Sequence, residues 1–359
     1  MMEATTMLIP FVFTLVFPMG FAQETFTFSV DLLAGPTGYF KVEGFDGIQP
    51  ALTMVRGETY TFDQTDETNW YHPLGFAYEP DGAHEGVDEL EEGVGNGDAP
   101  VYIINGNISD LDTYEPEFFY PLEAWTGSNY TVQITVTDPS VTEIFYFCHI
   151  HNEMSGRIHI VDQAGDEPAP PMIDLYEPYV GDDFDAGCGT FMSSPYQPKE
   201  GTFESELCPD QKFLCGDTES MFDRCMHAID CKMNYEMRVE QAPSASNAVA
   251  FMRQMIPHHE NAVNMAKVLL KEPGEELDPE VNDLLLEIIN SQNAQITFMR
   301  GYLTDLGEPK EASLCAADGG GDESVPDYAI GIMVALGVMT VALLGTTLFF
   351  KGKSSPEKT

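Results

Sequence analysis

The sequence predicts a β + α multidomain protein: an antiparallel β sandwich, then a helical bundle, then one C-terminal transmembrane helix. Residues 24–162 contain short alternating apolar runs such as TFTFSVDLL, YTVQITV and RIHIV, separated by Gly, Pro and Asp, which is typical of a sandwich. From about residue 217 the apolar period becomes that of a helix. Residues 329–350 form an uncharged apolar run long enough to span a bilayer.

The chain is strongly acidic. It has 359 residues and a formal net charge of -43, with 16 Lys and Arg against 59 Asp and Glu. This length allows two ordinary domains. Because a phosphate backbone would be repelled, nucleic acid is excluded as a partner, and cations or basic proteins are favoured.

Both ends of the chain predict export. The apolar run at residues 7–22 ends in small residues, Gly20 and Ala22, so residues 1–22 are predicted to be a signal peptide. The run is preceded by Glu3 and by no Lys or Arg, which leaves a retained N-terminal anchor as the alternative. The segment KGK follows the second apolar run and should face the cytosol, with residues 351–359 as a cytosolic tail. The sequence thus predicts a single-pass type I membrane protein of the secretory pathway, its bulk extracellular or lumenal.

Cysteine usage agrees with an oxidising compartment. Six of the seven cysteines follow the first domain, and an even set in an exported segment predicts up to three disulfides with pairing left open. The disulfide candidates are Cys188, Cys208, Cys215, Cys225, Cys231 and Cys315. Two N-glycosylation acceptors, Asn107 and Asn129, are predicted to lie on the domain surface.

The region after the first domain divides into three parts. Residues 163–216 are rich in Pro, Gly and acid and predict a linker, or an extended wrap, with cysteines. Residues 217–307 predict a three-helix or four-helix bundle, with Ser244 capping the second helix and Asp278 and Pro279 starting the third. Residues 308–328 predict a stalk to the membrane.

The stretch FYFCHIHNEM, residues 145–154, predicts a metal site in the first domain. Cys148, His151 and Met154 lie on one short loop between two predicted strands, and His72 could arrive from an earlier part of the sandwich. Two imidazoles, one thiolate and a weak axial thioether are the set that suits a redox-active copper ion. The alternative for each residue alone is a buried thiol or a hydrogen-bonded core histidine.

This arrangement resembles the cupredoxin family over roughly residues 24–162, including the RGETYTF run ahead of the histidine, which makes residues 23–162 a cupredoxin-like domain. The resemblance implies that His72, Cys148, His151 and Met154 are the copper ligands. Glu153 is the alternative to Met154 as an oxygen ligand. The two other histidines nearby, His149 and His159, are predicted not to be ligands. The CHIH motif is also similar to that of multicopper oxidases, but these need several further His-x-His pairs, and only His149 with His151 has that spacing here.

A second group of soft ligands lies in FMRQMIPHHENAVNMAKVLL, on the second predicted helix. Thioethers select Cu(I) over harder ions, and adjacent histidines shift the interpretation from plain core toward metal. Pro257 should either kink this helix or mark its first turn. The predicted bundle site consists of Met252, Met255, His258, His259 and Met265, with Met233, Met237 and Met299 as further candidates from the neighbouring helices.

This segment resembles a Met- and His-rich, ferritin-like domain of unknown function typified by MIPHH, over about residues 220–307. The resemblance implies copper binding and no settled catalytic activity. Asn247 and Tyr302 depart from its pattern, which commonly has Asp and Trp there.

The two halves together predict a membrane-tethered extracytoplasmic copper protein that captures, buffers or delivers copper and has a redox-active cupredoxin site. Its partners would be copper ions and either a redox partner or a copper transporter, and the sequence favours a protein that is not an enzyme. One alternative is a tethered electron carrier whose bundle is structural or a docking module. Another is a glycosylated surface interaction protein without metal.

Overall fold

The computed structural model describes residues 24–85, 89–90, 99–209, 211–214, 220–240, 246–272, 277–309 and 312–315. Ten strands lie within these residues. They are β1 Thr25–Asp31, β2 Tyr39–Val42, β3 Leu52–Val55, β4 Thr59–Asp63, β5 Leu74–Ala77, β6 Val101–Ile104, β7 Asn107–Ser109, β8 Tyr130–Thr135, β9 Glu143–Cys148 and β10 Ser155–Val161.

The strands form two packed sheets. The six-stranded sheet has the order β2-β1-β4-β8-β6-β7, and the four-stranded sheet has the order β3-β10-β9-β5. Alternation along β1 buries every second side chain, and Phe28 from this strand packs edge-on against Tyr146 of β9, with ring centroids 5.1 Å apart. The predicted sandwich of β-strands is therefore present.

The prediction that the sandwich is antiparallel is wrong for two strand pairs. β1 pairs with β4 in parallel, and β3 pairs with β10 in parallel. Each parallel pair joins strands that are separated along the chain by other elements, as a parallel connection requires. Period-two alternation does not distinguish the two directions, so the sequence pattern did not reveal them.

The chain has four short helices followed by three long ones within the described residues. The first four are α1 Gly82–Glu85, α2 Leu111–Glu117, α3 Leu122–Trp125 and α4 Asp183–Cys188, and the last three are α5 Met221–Glu236, α6 Asn247–Lys271 and α7 Pro279–Asp305. Short 3-10 helices occur at Glu67–Asn69 and Ser194–Tyr196.

The three long helices start at side-chain caps. Ser220 and Asp223 form a capping box at α5, and Asp278 caps α7 with Pro279 in its first turn, as predicted. The cap of α6 is Ser246, whose hydroxyl accepts from Val249 N, so the prediction of Ser244 was wrong; Ser244 itself lies outside the described residues. Pro257 lies inside α6 and not in its first turn.

Two disulfides join the segment after the sandwich to α5. Cys188 bonds Cys225, and Cys208 bonds Cys231. The structure thus gives the pairing of four of the six candidates, which the sequence had left open. Cys315 is an exposed free thiol, so its inclusion among the disulfide candidates was wrong, and Cys215 lies outside the described residues.

The segment predicted as a linker contributes to the core of the helices. Phe184, Cys188 and Tyr196 pack with Ala228 and Ile229 of α5. Asp185 is almost fully buried and accepts from Thr190 Oγ1 and Ser193 Oγ, which closes the turn after α4. The two disulfides and this cluster attach residues 183–208 to α5.

The helices pack directly on the sandwich. Val263 and Ala266 of α6 and Leu285, Leu286 and Ile289 of α7 belong to the same hydrophobic cluster as the sandwich core.

No helix within the described residues combines the length and apolar character needed to span a bilayer. The predicted spanning segment 329–350 and the predicted signal peptide 1–22 both lie outside those residues.

Candidate metal centre

Three buried donors meet at one end of the sandwich. The Nδ1 atoms of His72 and His151 lie 3.1 Å apart, and Cys148 Sγ lies 3.8 Å from His72 Nδ1 and 3.5 Å from His151 Nδ1. All three residues are fully buried. Of the residues that the structure describes, these three form the one group of His, Cys, Asp or Glu donors compact enough to hold a metal ion.

Strand register brings the donors together. Leu74 of β5 pairs with Cys148 of β9 in an antiparallel ladder, so His72, which precedes β5, lies beside the loop that follows β9. His151 is in that loop, three residues after Cys148. The sequence analysis grouped these residues by their ligand types alone, because strand register could not be read from the sequence.

Gln64 holds the backbone around His72. Its amide nitrogen donates to His72 O over 2.7 Å, and its amide oxygen accepts from Leu74 N over 2.9 Å. His72 N donates to Asn69 O over 2.7 Å. The side chains of Gln64 and His72 are fully buried, and the hydrogen bonds set the path of the chain on either side of the histidine.

Asp81 holds the other side of the site, and sequence reasoning missed it. Its carboxylate accepts from Ser155 Oγ over 2.7 Å and from Glu153 N over 2.5 Å, although these residues lie 74 and 72 positions away along the chain. Glu153 adopts the left-handed conformation with φ of 61°, which the hydrogen bond supports. The signal available in the sequence was the Asp-Gly turn at residues 81–82, which predicts a turn and no contact.

His84 is a second residue that sequence reasoning missed. Its Nε2 atom lies 2.8 Å from Cys148 O. As a single histidine in an acidic loop it offered no pattern to single it out.

Burial determines the protonation of the three donors. Desolvation raises the pKa of the Cys148 thiol to about 12 and lowers the pKa of His72 to about 3. Desolvation lowers the pKa of His151 well below its usual range, and the neighbouring His72 lowers it further. The imidazoles are therefore neutral at pH 7, ready to donate a lone pair, and the thiol needs a cation beside it to ionise.

The donor spacing fits a bound metal ion. Metal–nitrogen bonds of about 2.0 Å and a metal–sulfur bond of about 2.3 Å, at angles of about 110–120°, put the donors roughly 3.3–3.7 Å apart. The three observed spacings, 3.1, 3.5 and 3.8 Å, are close to this range. His72 Nε2 and His151 Nε2 are buried and, among the described residues, make no well-aligned hydrogen bond.

The two candidates for a further ligand differ in burial. Met154 is fully buried in the same cluster as Cys148, whereas Glu153 is exposed. This difference favours Met154 over Glu153.

Neither of the other nearby histidines belongs to the group of donors. His149 stacks on Phe147 with ring centroids 4.9 Å apart, and its ring nitrogens lie 3.6 Å from carboxylate oxygens of Glu89 and Glu115. Desolvation lowers the pKa of His149 to about 3 and raises that of Glu115 to about 7. His159 lies within β10, opposite Glu143.

The predicted bundle site is more open. His258 and Met265 are exposed, Met252 and Met255 are half-buried, and Met265 Sδ accepts from Asn261 Nδ2 over 3.7 Å. His259 is buried, and its Nδ1 atom lies 2.9 Å from Met255 O, so that nitrogen is occupied by its own helix. Of the further candidates, Met233 and Met237 are half-buried and Met299 is buried.

A buried ion cluster joins the three long helices, and the sequence analysis did not predict it. Lys232 Nζ donates to carboxylate oxygens of Glu236 and Glu260 over 2.8 and 2.5 Å, and Arg300 donates to Glu260 over 2.6 Å. Tyr196 OH donates to Glu236 over 2.9 Å. The cluster connects the predicted linker to α5, α6 and α7.

These features define the chain as a β + α multidomain protein with a buried His-Cys-His group that can hold a metal ion. Residues 248–335 match the family described as "Domain of unknown function (DUF305)", so the chain carries a DUF305 helical domain that includes α6 and α7. No curated protein matches the chain.

Proposed function

We propose that this protein is an extracytoplasmic copper-binding protein whose cupredoxin-type β sandwich holds one redox-active copper ion. The observation that carries the proposal is the compact, fully buried group of His72, Cys148 and His151. Met154 is proposed as a weak axial ligand, because it is buried in the same hydrophobic cluster as Cys148.

The donor set favours copper over zinc. Structural zinc sites are usually tetrahedral with four Cys, His or carboxylate ligands. Among the described residues no fourth His, Cys, Asp or Glu joins the three donors. Two imidazoles and one thiolate with a long thioether contact are instead typical of copper sites for electron transfer.

A bound copper ion would supply one-electron redox chemistry at this place. The chain's own residues supply three fully buried donors, and Gln64 and Asp81 hold the backbone on either side of them. Such a framework keeps the donors in nearly one arrangement in both oxidation states, which lowers the reorganisation that electron transfer requires.

Several features support a location outside the cytosol. The predicted signal peptide and the predicted spanning helix at 329–350 would make the chain a type I membrane protein. Two disulfides are typical of proteins from oxidising compartments. Asn107 and Asn129 are exposed, as glycosylation acceptors must be.

We propose that the protein captures, buffers or delivers copper, and that its ferritin-like bundle provides a second, thioether-rich copper site. The exposed His258 and Met265 support access for an incoming ion. The tethered electron carrier is the second candidate function, and it is favoured by the occupation of His259 Nδ1 by its own helix.

The experiment is a copper count and a visible spectrum on the purified chain loaded with Cu(I) and then oxidised. An intense thiolate-to-copper band is expected, and Cys148→Ser should abolish it while the exposed Cys315→Ser leaves it intact. A band that survives in Cys148→Ser would contradict the proposal. If wild type binds more than one copper ion per chain and the double variant His258→Ala, His259→Ala binds one, the bundle captures copper. If wild type and the double variant both bind one copper ion per chain, the protein is an electron carrier.

A further inference from the structure

The DUF305 helical domain lies against the sandwich beside the candidate metal centre. Leu286 and Ile289 of α7 share one hydrophobic cluster with Cys148 and Met154. Tyr71, the neighbour of His72, belongs to this cluster too. This part of α7 therefore faces the segment that carries His72.

Polar contacts fix the helices in this position. Lys267 Nζ of α6 donates to Gly35 O over 2.7 Å and to Pro36 O over 2.9 Å. Asn293 Nδ2 of α7 donates to Pro36 O over 3.2 Å. The turn at residues 35–36 thus receives hydrogen bonds from both helices, which holds α7 in register with the sandwich.

Asn290 is a polar residue in an apolar part of α7. It follows Ile289 in the run LLLEIIN and is only 1% exposed. Neither its Nδ2 nor its Oδ1 atom makes a well-aligned hydrogen bond with any described residue. A buried amide without partners costs about 1–3 kcal/mol, so an amide at this position needs a reason that packing does not provide.

His72 presents the complementary group. Its Nδ1 atom faces His151 and Cys148, which leaves Nε2 as the ring nitrogen on the other side, and Nε2 also lacks an aligned partner among the described residues. Burial is the main influence on the pKa of His72 and lowers it, while the nearby side chain of Asn290 acts in the opposite direction. Asn290 and His72 are therefore within interaction range, and an oxygen that accepts a ring N–H has this effect.

We propose that Asn290 is a positioning residue for His72: its amide oxygen accepts a hydrogen bond from His72 Nε2–H, which keeps the Nδ1 lone pair directed at Cys148 and His151. The helical domain then completes the metal centre of the sandwich. A histidine that binds a metal through one nitrogen usually donates the other N–H to such an acceptor, which sets its tautomer and orientation. The inference deepens the proposed function and rests on it only for the copper measurements.

The test uses the full chain labelled with ¹⁵N-histidine, first without metal. In wild type, ring ¹⁵N shifts should assign His72 as the Nε2–H tautomer, and the Nε2 proton should exchange slowly with solvent. Asn290→Leu should lose the protected proton and mix the tautomers. Asn290→Asp keeps an acceptor oxygen and should retain both the slowly exchanging Nε2 proton and the single Nε2–H tautomer. Ser291→Ala is the matched control, because Ser291 is a buried neighbour whose hydroxyl bonds Glu287 O of its own helix.

The same variants are then loaded with Cu(I), and the copper is oxidised to Cu(II) before the visible spectrum is recorded. Asn290→Leu should lose about 10–100-fold in copper affinity and shift the visible band, as other losses of such partners do, while Ser291→Ala should match wild type. A His72 tautomer and proton exchange rate unchanged in Asn290→Leu would overturn the proposal. A changed tautomer in a protein that never develops a copper band would instead support the role of Asn290 and reject the copper function.

Discussion

Ser155 and Asp81 form a reciprocal hydrogen-bonded pair: Ser155 Oγ donates to Asp81 Oδ1, and Asp81 N donates to Ser155 Oγ, both over 2.7 Å. Both residues are about 1% exposed. The pair attaches the end of the Cys148–His151 loop to the turn before α1, so the shape of the candidate metal centre depends on a contact between distant parts of the chain.

Asp81→Ala should destabilise the fold by about 2–4 kcal/mol. The buried Ser155 Oγ–H is left without an acceptor, which costs about 1–3 kcal/mol, and the partly buried hydrogen bond from Glu153 N, worth about 1 kcal/mol, is lost. Urea unfolding measures this change. Ser140→Ala, which removes a similar hydrogen bond to Asp138 on the exposed surface, should stay within about 0.5 kcal/mol of wild type. Equal effects of the two substitutions would show that Asp81 does not hold the loop.

Cys148 should resist alkylation in the folded, metal-free protein. Its thiol is buried and its pKa is raised to about 12, so at pH 8 its thiolate fraction is about 10³-fold below that of an ordinary thiol of pKa about 8.5. Peptide mapping after iodoacetamide treatment should find Cys315, which is exposed, modified and Cys148 free. Both should react in urea. Rapid native modification of Cys148 would mean that the sandwich opens at this end.

Lys267 should make stability depend on pH between about 7 and 10.5. Burial lowers the pKa of Lys267 from 10.5 to about 7 in the folded chain. The unfolded state therefore binds more protons across this window, so the free energy of unfolding should rise as the pH increases from 7 to 10.5 and should change little through Lys267 below 7.

Urea unfolding of Lys267→Met at several pH values isolates this contribution, because the substitution removes the titrating group. The slope in this window should be smaller in Lys267→Met than in wild type. Lys271→Met, at the exposed end of α6, is the matched control and should keep the slope. Equal slopes in all three proteins would contradict the assignment.

Two glycine substitutions should have opposite effects. A Cβ at Gly75 would overlap the His149 imidazole and come within 2.6 Å of the Phe147 ring, so Gly75→Ala should destabilise by about 1–3 kcal/mol. A Cβ at Gly301, in α7, meets nothing within 4 Å, so Gly301→Ala should stabilise by about 0.5–1 kcal/mol. Thermal unfolding of both variants checks the signs, and destabilisation of similar size in both would show that the space around Gly75 is not the cause.

The sequence predicted the order of the chain because the determining signals are local. Alternation in TFTFSVD indicated a strand, Asp278 with Pro279 indicated the start of α7, and Cys148-x-x-His151 indicated soft ligands on one loop. Each signal lies within a few residues and follows from backbone geometry or ligand chemistry. His72 was included in the predicted copper site because an imidazole suits the same copper ion as the Cys148 loop.

Tertiary structure alone decided the contacts between distant segments. Three features join residues that are far apart in the chain: the parallel pairing of β1 with β4, the disulfide partners of Cys188 and Cys208, and the hydrogen bond of Asp81 with Glu153 N. Periodicity records which side of an element is buried but not what covers it. Leu286 and Ile289 of α7 belong to the same hydrophobic cluster as Cys148 and Met154, and this packing between two domains is encoded by no local pattern.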